Sequence, residues 1–374
     1  MMGDGEVTLF LCGDVMTGRG VDQILRHPVD PRLWEGYVRD ARTYVALAEA
    51  INGPVPAPVR YEWPWGDALA ALDEAAPDTR IINLETSITH SDHVAPGKAV
   101  HYRMAPENIG CLTAAGPDVC TLANNHVLDF GHRGLDDTLW ALRQADLPAT
   151  GAGADADAAR RPALVTLHRG ARVIVGSAGT SSSGIPADWA AADDRPGVQL
   201  LPDLSPATAR ALAGTLVGRH KSPGDIVVAS IHWGSNWGYE IPSAHVAFAH
   251  YLVDLGVDVV HGHSSHHPRP IEVYRGKLIL YGCGDFIDDY EGIRGYERYR
   301  DDLRLLYLAT VEAATGRLTR LRMLPMQARQ LRLHHASRED AEFLRTTLTR
   351  FGERFGSRVG IARDRSLHLR LPGA

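Results

Sequence analysis

Residues 7–14 read Val-Thr-Leu-Phe-Leu-Cys-Gly-Asp, a short apolar run that ends in a glycine and a carboxylate. An apolar run of this length is typical of a strand that is buried on both faces. Similar runs recur along the chain, at Arg80–Leu84, Asp118–Leu122, Ile226–Ile231, Val257–Val260 and Leu278–Tyr281. Because helical patterns alternate with these runs, the order of elements predicts an α/β protein.

Two pairs of short runs add antiparallel strands to this arrangement. Ala163–His168 is followed by Arg172–Ser177, and Ile271–Tyr274 is followed by Lys277–Tyr281 across the dipeptide Arg275-Gly276. Runs separated by so few residues are typical of β-hairpins. Parallel βα units together with hairpins predict mixed sheets.

The length and composition favour a single α/β domain over residues 1–374. Apolar residues make up 44% of the chain, which is enough to bury a large core. The motif-bearing core is predicted at about residues 7–290, and the strands and helix of residues 291–374 are expected to complete the domain. No stretch rich in Gly, Pro or Ser is long enough to be a convincing interdomain linker.

The charge balance argues against nucleic-acid binding. The chain has 39 Lys and Arg against 45 Asp and Glu, a formal net charge of −6, whereas phosphate binding requires a cationic excess. No run approaches the roughly 18 to 20 apolar residues of a membrane-spanning helix. The four cysteines are scattered, as is typical of reduced thiols. These features predict a cytoplasmic protein without a membrane span.

Histidines concentrate in one part of the chain. Seven of the 18 lie between His232 and His267, and imidazole is a common metal ligand. In α/β proteins, ligands gather at the carboxyl ends of strands. Side chains with ligand chemistry follow five of the apolar runs: Asp14, Glu85, Asn124, Asn125, His126, His232, His261, His263 and His266.

Each of these residues alone has an ordinary structural explanation, such as a turn-forming Asp or a hydrogen-bonded interior His. Together, two carboxylates and several imidazoles at one sheet edge would be costly to bury unless cations compensate them. Two divalent ions about 3.5 to 4 Å apart repel each other and require a negative bridging ligand. Oxygen and nitrogen ligands without thiolate favour Mn, Fe, Zn or Mg. The sequence therefore predicts one or two divalent metal ions.

Six motifs follow one another along the chain: Gly13-Asp14-Val15-Met16, Asn83-Leu84-Glu85, Ala123-Asn124-Asn125-His126, His232-Trp233-Gly234, Gly262-His263-Ser264-Ser265-His266 and Gly284-Asp285-Phe286. The series spans roughly Val7 to Tyr290. It resembles the CapA family of poly-γ-glutamate capsule biosynthesis proteins, part of the calcineurin-like metallophosphoesterase superfamily. The resemblance implies a sandwich of two mixed β-sheets flanked by helices, with the site in the loops that follow the strands.

The resemblance also implies roles for individual residues. Asp14 matches the first metal-binding aspartate, and Glu85 stands where the superfamily has its bridging aspartate. His126 matches a histidine that stabilises the transition state or protonates the leaving oxygen. Further metal ligands of the family correspond to Asn125, His232, His263 and His266.

The chain departs from the family pattern at several positions. Met16 stands where the first motif has a second ligand, a histidine, and a thioether is a poor ligand for hard cations. The terminal motif has two residues between its histidines instead of one, so His261 is an alternative ligand. Asn236 replaces a glutamate, and Asp285 replaces a more usual asparagine. A single metal, or a weakly loaded second site, is therefore an open alternative.

Arg19, Arg103 and Trp233 are the candidates for substrate recognition. A guanidinium group matches a carboxylate or phosphate in bidentate geometry. Arg103 resembles a basic position of the family, and Trp233 is a candidate wall of the cleft. The alternative interpretations are surface ion pairs for the arginines and an interior position for the tryptophan.

The function that the resemblance implies is metal-dependent hydrolysis. A metal-bound hydroxide would attack a phosphate ester or anhydride, or a γ-glutamyl bond, with His126 as the general acid. The substrate would be small and anionic, or γ-glutamyl. The alternatives are a non-hydrolytic accessory or polymer-binding protein of capsule synthesis, and an amide-forming enzyme of a secondary pathway. The oligomeric state is left open.

Overall fold

The structure, a computed structural model, describes residues 5–167, 170–218 and 220–371. Its strands, in chain order, are β1 (Glu6–Val15), β2 (Thr79–Leu84), β3 (Ser87–Ile88), β4 (Arg103–Met104), β5 (Val119–Thr121), β6 (Ala149–Thr150), β7 (Ala152–Gly153), β8 (Ala163–Thr166), β9 (Arg172–Thr180), β10 (Gly197–Val198), β11 (Leu200–Leu201), β12 (Ile226–His232), β13 (Val259–His263), β14 (Ile271–Tyr274), β15 (Lys277–Leu280), β16 (Asp285–Ile287), β17 (Leu303–Glu312), β18 (Arg317–Arg329), β19 (Arg332–His335), β20 (Arg358–Ile361) and β21 (Leu367–Arg370). Its helices are α1 (Arg19–Ile24), α2 (Arg42–Asn52), α3 (Asp67–Ala75), α4 (Gly110–Thr113), α5 (Gly131–Gln144), α6 (Ala156–Arg160), α7 (Pro206–Leu216), α8 (Ser243–Asp254) and α9 (Arg338–Gly352).

The larger sheet is mixed and contains the first strand near its centre. Its order is β20-β21-β18-β17-β1-β2-β5-β6, with β16 beside β1 and β19 beside β18. Strand β1 runs parallel to β2 and β16 and antiparallel to β17. The C-terminal strands thus share a sheet with the first strand, as expected of one domain. The assignment of residues 1–374 to a single domain stays a prediction, and the ends of that range lie outside the described residues.

The smaller of the two main sheets is also mixed. Its order is β11-β9-β12-β13-β15-β14, with β8 beside β9. Strands β9, β12, β13 and β15 are parallel to their neighbours in this series, whereas β8 and β14 join through antiparallel pairs. These antiparallel pairs are the two predicted hairpins. The predicted end of the first, His168, lies outside the described residues.

Alternate residues of the strands point into different layers, because successive side chains of a strand face opposite sides of its sheet. Leu9 and Leu11 of β1 join Val228 of β12 in the core between the two sheets. Phe10 of β1 joins the core under α3 and α5, on the other face of the larger sheet. Val227 of β12 joins the core under α7 and α8. The molecule is therefore a sandwich of two mixed sheets flanked by helices, and the predicted fold class is confirmed.

Helix α9 shows how local sequence sets an element boundary. The Ser337 side chain accepts a hydrogen bond from the backbone N–H of Asp340, whose carboxylate accepts one from the backbone N–H of Ser337. This capping box satisfies two N–H groups that have no partner within the helix. None of the helices in the described ranges is long and apolar enough to cross a membrane.

Candidate metal centre

Parallel strands bring the predicted ligands to one edge of the two sheets. Asp14 is the last residue but one of β1, and Glu85 follows β2 directly. Asn125 and His126 lie in the loop between β5 and α5, and β12 and β13 end at His232 and His263. All of these side chains are buried except Asn125, which is half-buried. Residues separated by up to about 250 positions thus meet in one cleft.

Asp14 lies at the centre of this cleft. Its Oδ1 accepts a hydrogen bond from Asn83 Nδ2 at 2.7 Å, and its Oδ2 accepts one from the backbone N–H of Ser264 at 3.2 Å. The same Oδ1 lies 4.0 Å from His232 Nδ1 and 3.9 Å from His263 Nδ1. Ligand atoms of Asp14, His232 and His263 all lie within 4.8 Å of one another, so these three side chains could hold a cation.

The two histidines of this group are bonded to each other. The Nδ1 atoms of His232 and His263 lie 2.8 Å apart, and the ring tautomers decide which of the two donates the hydrogen bond. His232 Nε2 contacts Asn125 Oδ1 at 2.8 Å, and His263 Nε2 contacts Ser230 Oγ at 2.8 Å. Burial lowers the pKa of both rings well below the ordinary value. Neutral imidazoles with available lone pairs are the form that binds metals.

Glu85 is linked to Asp14 through a shared donor. Asn83 Nδ2 donates to Glu85 Oε2 at 3.2 Å as well as to Asp14. Glu85 Oε1 lies 3.7 Å from His232 Nε2 and 3.8 Å from His126 Nε2. Burial, reinforced by the neighbouring Asp14, raises the pKa of Glu85 well above its usual range. A bound cation would reverse this electrostatic cost.

A second group of three ligands includes a residue that sequence reasoning did not propose as a ligand. Ligand atoms of Asp14, His266 and Asp285 lie within 4.8 Å of one another. His266 Nδ1 contacts Asp285 Oδ1 at 2.9 Å, and His266 Nε2 contacts Asn236 Nδ2 at 3.0 Å. The available signal was the position of Asp285, a carboxylate shortly after the apolar run Leu278–Tyr281, in the motif Gly284-Asp285-Phe286.

Burial and like charge act together on the central carboxylate. Burial raises the pKa of Asp14 to about 7, and the charge of Asp285 adds to the increase. Burial lowers the pKa of His266, but the charge and hydrogen bond of Asp285, together with the charges of Asp14 and Asp288, raise it, and the net shift is upward. The cleft is thus rich in carboxylates that only nearby positive charge would keep ionised.

His126 is oriented by a carboxylate. Its Nδ1 lies 2.6 Å from Asp129 Oδ2, and its ring packs edge-on against Tyr102 at 4.5 Å between centroids. Lys98 Nζ lies 3.2 Å from the same Nδ1 and also donates to Asp129. Burial lowers the pKa of His126 to about 4, against the opposing effect of Asp129. The nitrogen not bonded to Asp129, Nε2, is the one nearer to Glu85.

A cavity of about 200 Å³ opens onto these groups. Its lining consists of Glu85, Lys98, Ala99, Val100, Tyr102, Asn125, His126, His232, Asn236, Ser264, His266 and Tyr290. Sequence reasoning missed Lys98, Tyr102 and Tyr290 as lining residues, because no apolar run or ligand pattern marks them. Lys98 brings a cation to the cavity, and the hydroxyls of the two tyrosines are 2.8 Å apart.

His261, the alternative ligand, occupies a different position from His263. Its Nε2 contacts the Cys12 carbonyl at 2.7 Å, and its Nδ1 contacts Ser230 Oγ at 3.1 Å. Both ring nitrogens are therefore engaged by the protein, and the residue lies in neither group of three. Its role as a ligand remains a prediction that this geometry does not favour.

The three residues predicted to bind substrate are not among those that line the cavity in the described part of the chain. Arg19 is buried in ion pairs with Asp289 and Glu35. Arg103 is also buried and donates to Asp92 at 2.7 Å. Trp233 is a core residue whose Nε1 donates to the Tyr281 carbonyl at 3.1 Å and whose ring stacks on His245. The two arginines form ion pairs, but buried ones instead of the surface pairs of the alternative interpretation, and Trp233 has the interior position. Substrate binding by these three residues stays a prediction.

Comparisons with known proteins identify a family for most of the chain. Residues 8–290 match the family described as bacterial capsule synthesis protein PGA_cap. The chain is 55% identical over 368 residues to a probable polyglutamine synthesis accessory protein of Mycobacterium tuberculosis strain H37Rv, covering 98% of this chain and 97% of that protein.

Two CapA proteins of bacilli are more distant relatives. The capsule biosynthesis protein CapA of Bacillus anthracis is 25% identical over 308 residues, or 81% of this chain and 64% of its own length. The PGA biosynthesis protein CapA of Bacillus subtilis strain 168 is 29% identical over 227 residues, or 60% of this chain and 56% of its own length. This chain therefore belongs to the PGA_cap family of bacterial capsule synthesis proteins, the CapA family of the metallophosphoesterase-like superfamily.

Proposed function

We propose that this protein is a metal-dependent hydrolase that acts on a small anionic or γ-glutamyl substrate, by cleavage of a phosphate ester, a phosphate anhydride or a γ-glutamyl bond. The observation that carries the proposal is that possible metal ligands and a possible proton-transfer group lie at the same cavity. His232 and His266, which belong to the two groups of possible metal ligands, line the cavity together with Glu85. His126, whose Nδ1 contacts Asp129, lines the same cavity. Ligands without a proton-transfer group would suggest a structural metal site instead.

The donor set fits a divalent cation. Asp14, His232 and His263 have ligand atoms within 4.8 Å of one another, and Glu85 and Asn125 each lie within 4 Å of His232. Oxygen and neutral nitrogen donors without thiolate suit Mn, Fe, Zn or Mg. When bound, such a cation polarises the scissile group and lowers the pKa of coordinated water. The burial of the carboxylates favours its binding, because an unpaired buried charge is costly.

His126 is placed to move the proton of the reaction. Hydrolysis adds water to phosphorus or to a carbonyl carbon, breaks the bond to the leaving oxygen or nitrogen, and requires a proton on that atom. The imidazole Nε2 faces Glu85 while Asp129 holds Nδ1, an arrangement that fixes the orientation of the ring. His126 would take a proton released by the attacking water and deliver it to the leaving atom.

Lys98 supports this role and provides the cavity with positive charge. Its amine donates to the Asn125 carbonyl and to Asp129, so it positions the loop that carries His126. A cation at the cavity lining also attracts an anionic substrate. This assignment replaces Arg19 and Arg103, whose guanidinium groups are held by other carboxylates.

Replacement of His126 by alanine tests the proposal. The His126→Ala protein should turn over an aryl phosphate or a γ-glutamyl oligomer roughly 10² to 10⁴ times more slowly than the wild type, the usual range for acid–base catalysis. Its metal content should change little, because His126 is in neither ligand group. His132→Ala, at an exposed histidine of α5, is the matched control.

Two results would count against the proposal. Wild-type protein that binds no divalent cation, or that holds cations but cleaves neither class of substrate, would contradict a hydrolase. A His126→Ala protein that loses its metal would show that His126 is a ligand instead of the proton donor.

A second candidate is a non-hydrolytic accessory role. A relative of 55% identity bears the name of a polyglutamine synthesis accessory protein, and Met16 is a poor ligand at a position that the family pattern reserves for histidine. In that case the cavity would bind a polyglutamate chain without cleaving it. Retention of a labelled γ-glutamyl oligomer at unchanged length by metal-loaded protein would favour this role.

A further inference from the structure

Two identical dipeptides lie side by side in the larger sheet. Strands β1 and β16 are parallel, with Asp14 in register with Asp285. The Asp14 N–H donates to the Gly284 carbonyl at 3.0 Å. A Cβ atom on Gly13 would lie 1.5 Å from that carbonyl oxygen, so only glycine permits the approach. The sequence Gly-Asp on both strands thus brings two carboxylates to the same point of the cleft.

One oxygen of Asp285 has no hydrogen-bond partner within residues 5–167, 170–218 and 220–371. The residue is fully buried, and its Oδ1 contacts His266 Nδ1. Its Oδ2 is a buried polar atom without a hydrogen-bond donor among the residues that the structure describes. A buried carboxylate oxygen that lacks a donor is destabilising. A cation is the partner that would satisfy it.

The neighbouring arginines are already occupied. Arg304 pairs with Asp288, and Arg19 pairs with Asp289 and Glu35. Among the described residues, neither Asp14 nor Asp285 forms an ion pair with a lysine or an arginine, and the side chain that contacts Asp285 is the imidazole of His266. This leaves an excess of negative charge at one end of the cleft.

We infer that Asp285 is a metal ligand, and that its Oδ2 forms a second cation site with Asp14 and His266, beside the site formed by Asp14, His232 and His263. The inference rests on the proposed function in that the cleft holds a divalent cation. Asp14 belongs to both groups of three and would bridge the two ions. A bridging carboxylate is what two cations at short distance require.

The two sites differ in their number of imidazoles. The site with Asp285 offers two carboxylates and one imidazole. The other site offers two imidazoles with Asp14, and Glu85 and Asn125 lie within 4 Å of His232 as further oxygen donors. Imidazole suits Zn²⁺, whereas a site with more carboxylate than imidazole suits Mn²⁺ or Mg²⁺. Asp285 also explains how the site tolerates Met16, whose sulfur is buried and 3.8 Å from the Tyr290 hydroxyl. A ligand from β16 would take the place of the absent one on the first motif.

Titration of the full-length protein with Mn²⁺ tests the inference. Wild-type protein should bind two equivalents, measured by elemental analysis after gel filtration, and give the electron paramagnetic resonance spectrum of an exchange-coupled ion pair. Asp285→Asn preserves the shape and the Oδ1 acceptor but lowers the ligand charge. It should bind one equivalent tightly, with affinity for the second ion at least about 10-fold weaker, and give the six-line spectrum of an isolated ion.

Reciprocal and surface variants serve as controls. His232→Ala should lose the other ion and keep the one near Asp285. Asp136→Asn, at an exposed position of α5, should bind two equivalents. Two tight equivalents in Asp285→Asn, or one equivalent in the wild type, would overturn the inference. Turnover with a single equivalent would leave the hydrolase proposal intact, whereas no binding at all would overturn both.

A crystallographic measurement decides the question if Asp285→Asn does not fold. Anomalous scattering from Mn²⁺ in wild-type crystals should show two peaks, one of them within roughly 2.0 to 2.3 Å of Asp285 Oδ2, the range of metal–carboxylate bonds. A single peak beside His232 and His263 would overturn the inference.

Discussion

Two regions of this molecule bury several charged side chains, and they treat those charges differently. In the arginine cluster, formed by Arg19, Glu35, Tyr44 and Asp289, the guanidinium group donates to both carboxylates and to the tyrosine hydroxyl. In the metal cleft, formed by Asp14, Glu85, Asp285 and the histidines around them, the carboxylates outnumber the cations and one oxygen has no donor among the described residues.

The difference separates structural charge from functional charge. A buried charge that the protein neutralises itself holds elements together and is unavailable to a ligand. A buried charge that the protein does not neutralise requires a bound ion or ligand of opposite charge. This contrast supports two proposals, that the arginine cluster belongs to the scaffold and that the cleft holds a cation.

The largest effect is expected from Asp14→Asn, which alters the ligand common to both groups of three. Each ion should bind more than about 100-fold more weakly, beyond what loss of an outer hydrogen-bond partner costs. Isothermal titration with Mn²⁺ and turnover of an aryl phosphate would measure this. Metal affinity equal to that of the wild type would mean that Asp14 is a scaffold residue, and the contrast between the regions would fail.

The next effect is expected from Arg19→Met in the arginine cluster. Loss of the guanidinium leaves Asp289 and Glu35 buried without a cation, which should cost about 3 to 5 kcal/mol of unfolding free energy. Denaturant unfolding followed by circular dichroism would measure it. The folded variant should still bind metal.

Arg42→Met is the matched control for this variant. Arg42 forms an exposed ion pair with Asp40, and exposed pairs contribute little. The Arg42→Met variant should have the same unfolding free energy as the wild type. A substrate-binding defect in Arg19→Met without loss of stability would restore the original prediction that Arg19 contacts substrate.

A smaller effect is expected from the cation itself. At a free concentration 100 times its dissociation constant, a divalent cation should raise the unfolding free energy by about 2.7 kcal/mol, because it binds the folded state alone. Thermal unfolding with Mn²⁺ and with a chelator would show the shift. Arg19→Met should retain the increment and Asp14→Asn should lose it. An equal response in all three proteins would indicate binding outside the cleft.

The smallest effect is expected from a buried histidine outside both regions. His245 stacks on Trp233, and burial, with a contribution from the charge of Arg269, lowers its pKa to about 4. A lowered histidine pKa means that the unfolded chain binds the proton more readily. The stability that depends on a neutral His245 is complete above the ordinary pKa of about 6.5. It is lost as the pH falls from there toward 4.

His245→Phe keeps an aromatic ring against Trp233 and removes the titration. As the pH falls from 7 to 4, the unfolding free energy of the variant should decrease by roughly 1 to 3 kcal/mol less than that of the wild type. Equilibrium unfolding at several pH values, in the presence of chelator, measures the difference. Parallel pH curves for the two proteins would show that His245 does not titrate in this range.

Much of the fold was predictable because strands buried on both faces have a strong local signature. The apolar runs that begin at Val7, Arg80 and Ile226 correspond to β1, β2 and β12. The capping box at Ser337 likewise marks the start of α9 within one turn of sequence. Such features depend on the period of apolar residues and on hydrogen bonds between near neighbours, both of which a sequence displays directly.

The candidate site was only partly predictable. Asp14, His232 and His263 were proposed as ligands because ligand-type side chains at strand ends are visible in sequence, and the structure brings them together. Lys98 was missed because it lies in a loop without a pattern. Asp285 was noticed in its motif but not as a ligand, because the free Oδ2 is a property of its three-dimensional surroundings.

The amino-acid sequence alone determined where the main buried strands occur along the chain, the residue types that follow them and the family to which the chain belongs. The tertiary structure alone decided which buried charges are compensated and which are left for a ligand. It placed the guanidinium of Arg19 against Asp289, 270 residues away. It also placed Asp285 beside Asp14, with one oxygen that accepts no hydrogen bond from the part of the chain that the structure describes. The physical reason is that desolvation and charge pairing depend on contacts across the sheets, which no local pattern specifies.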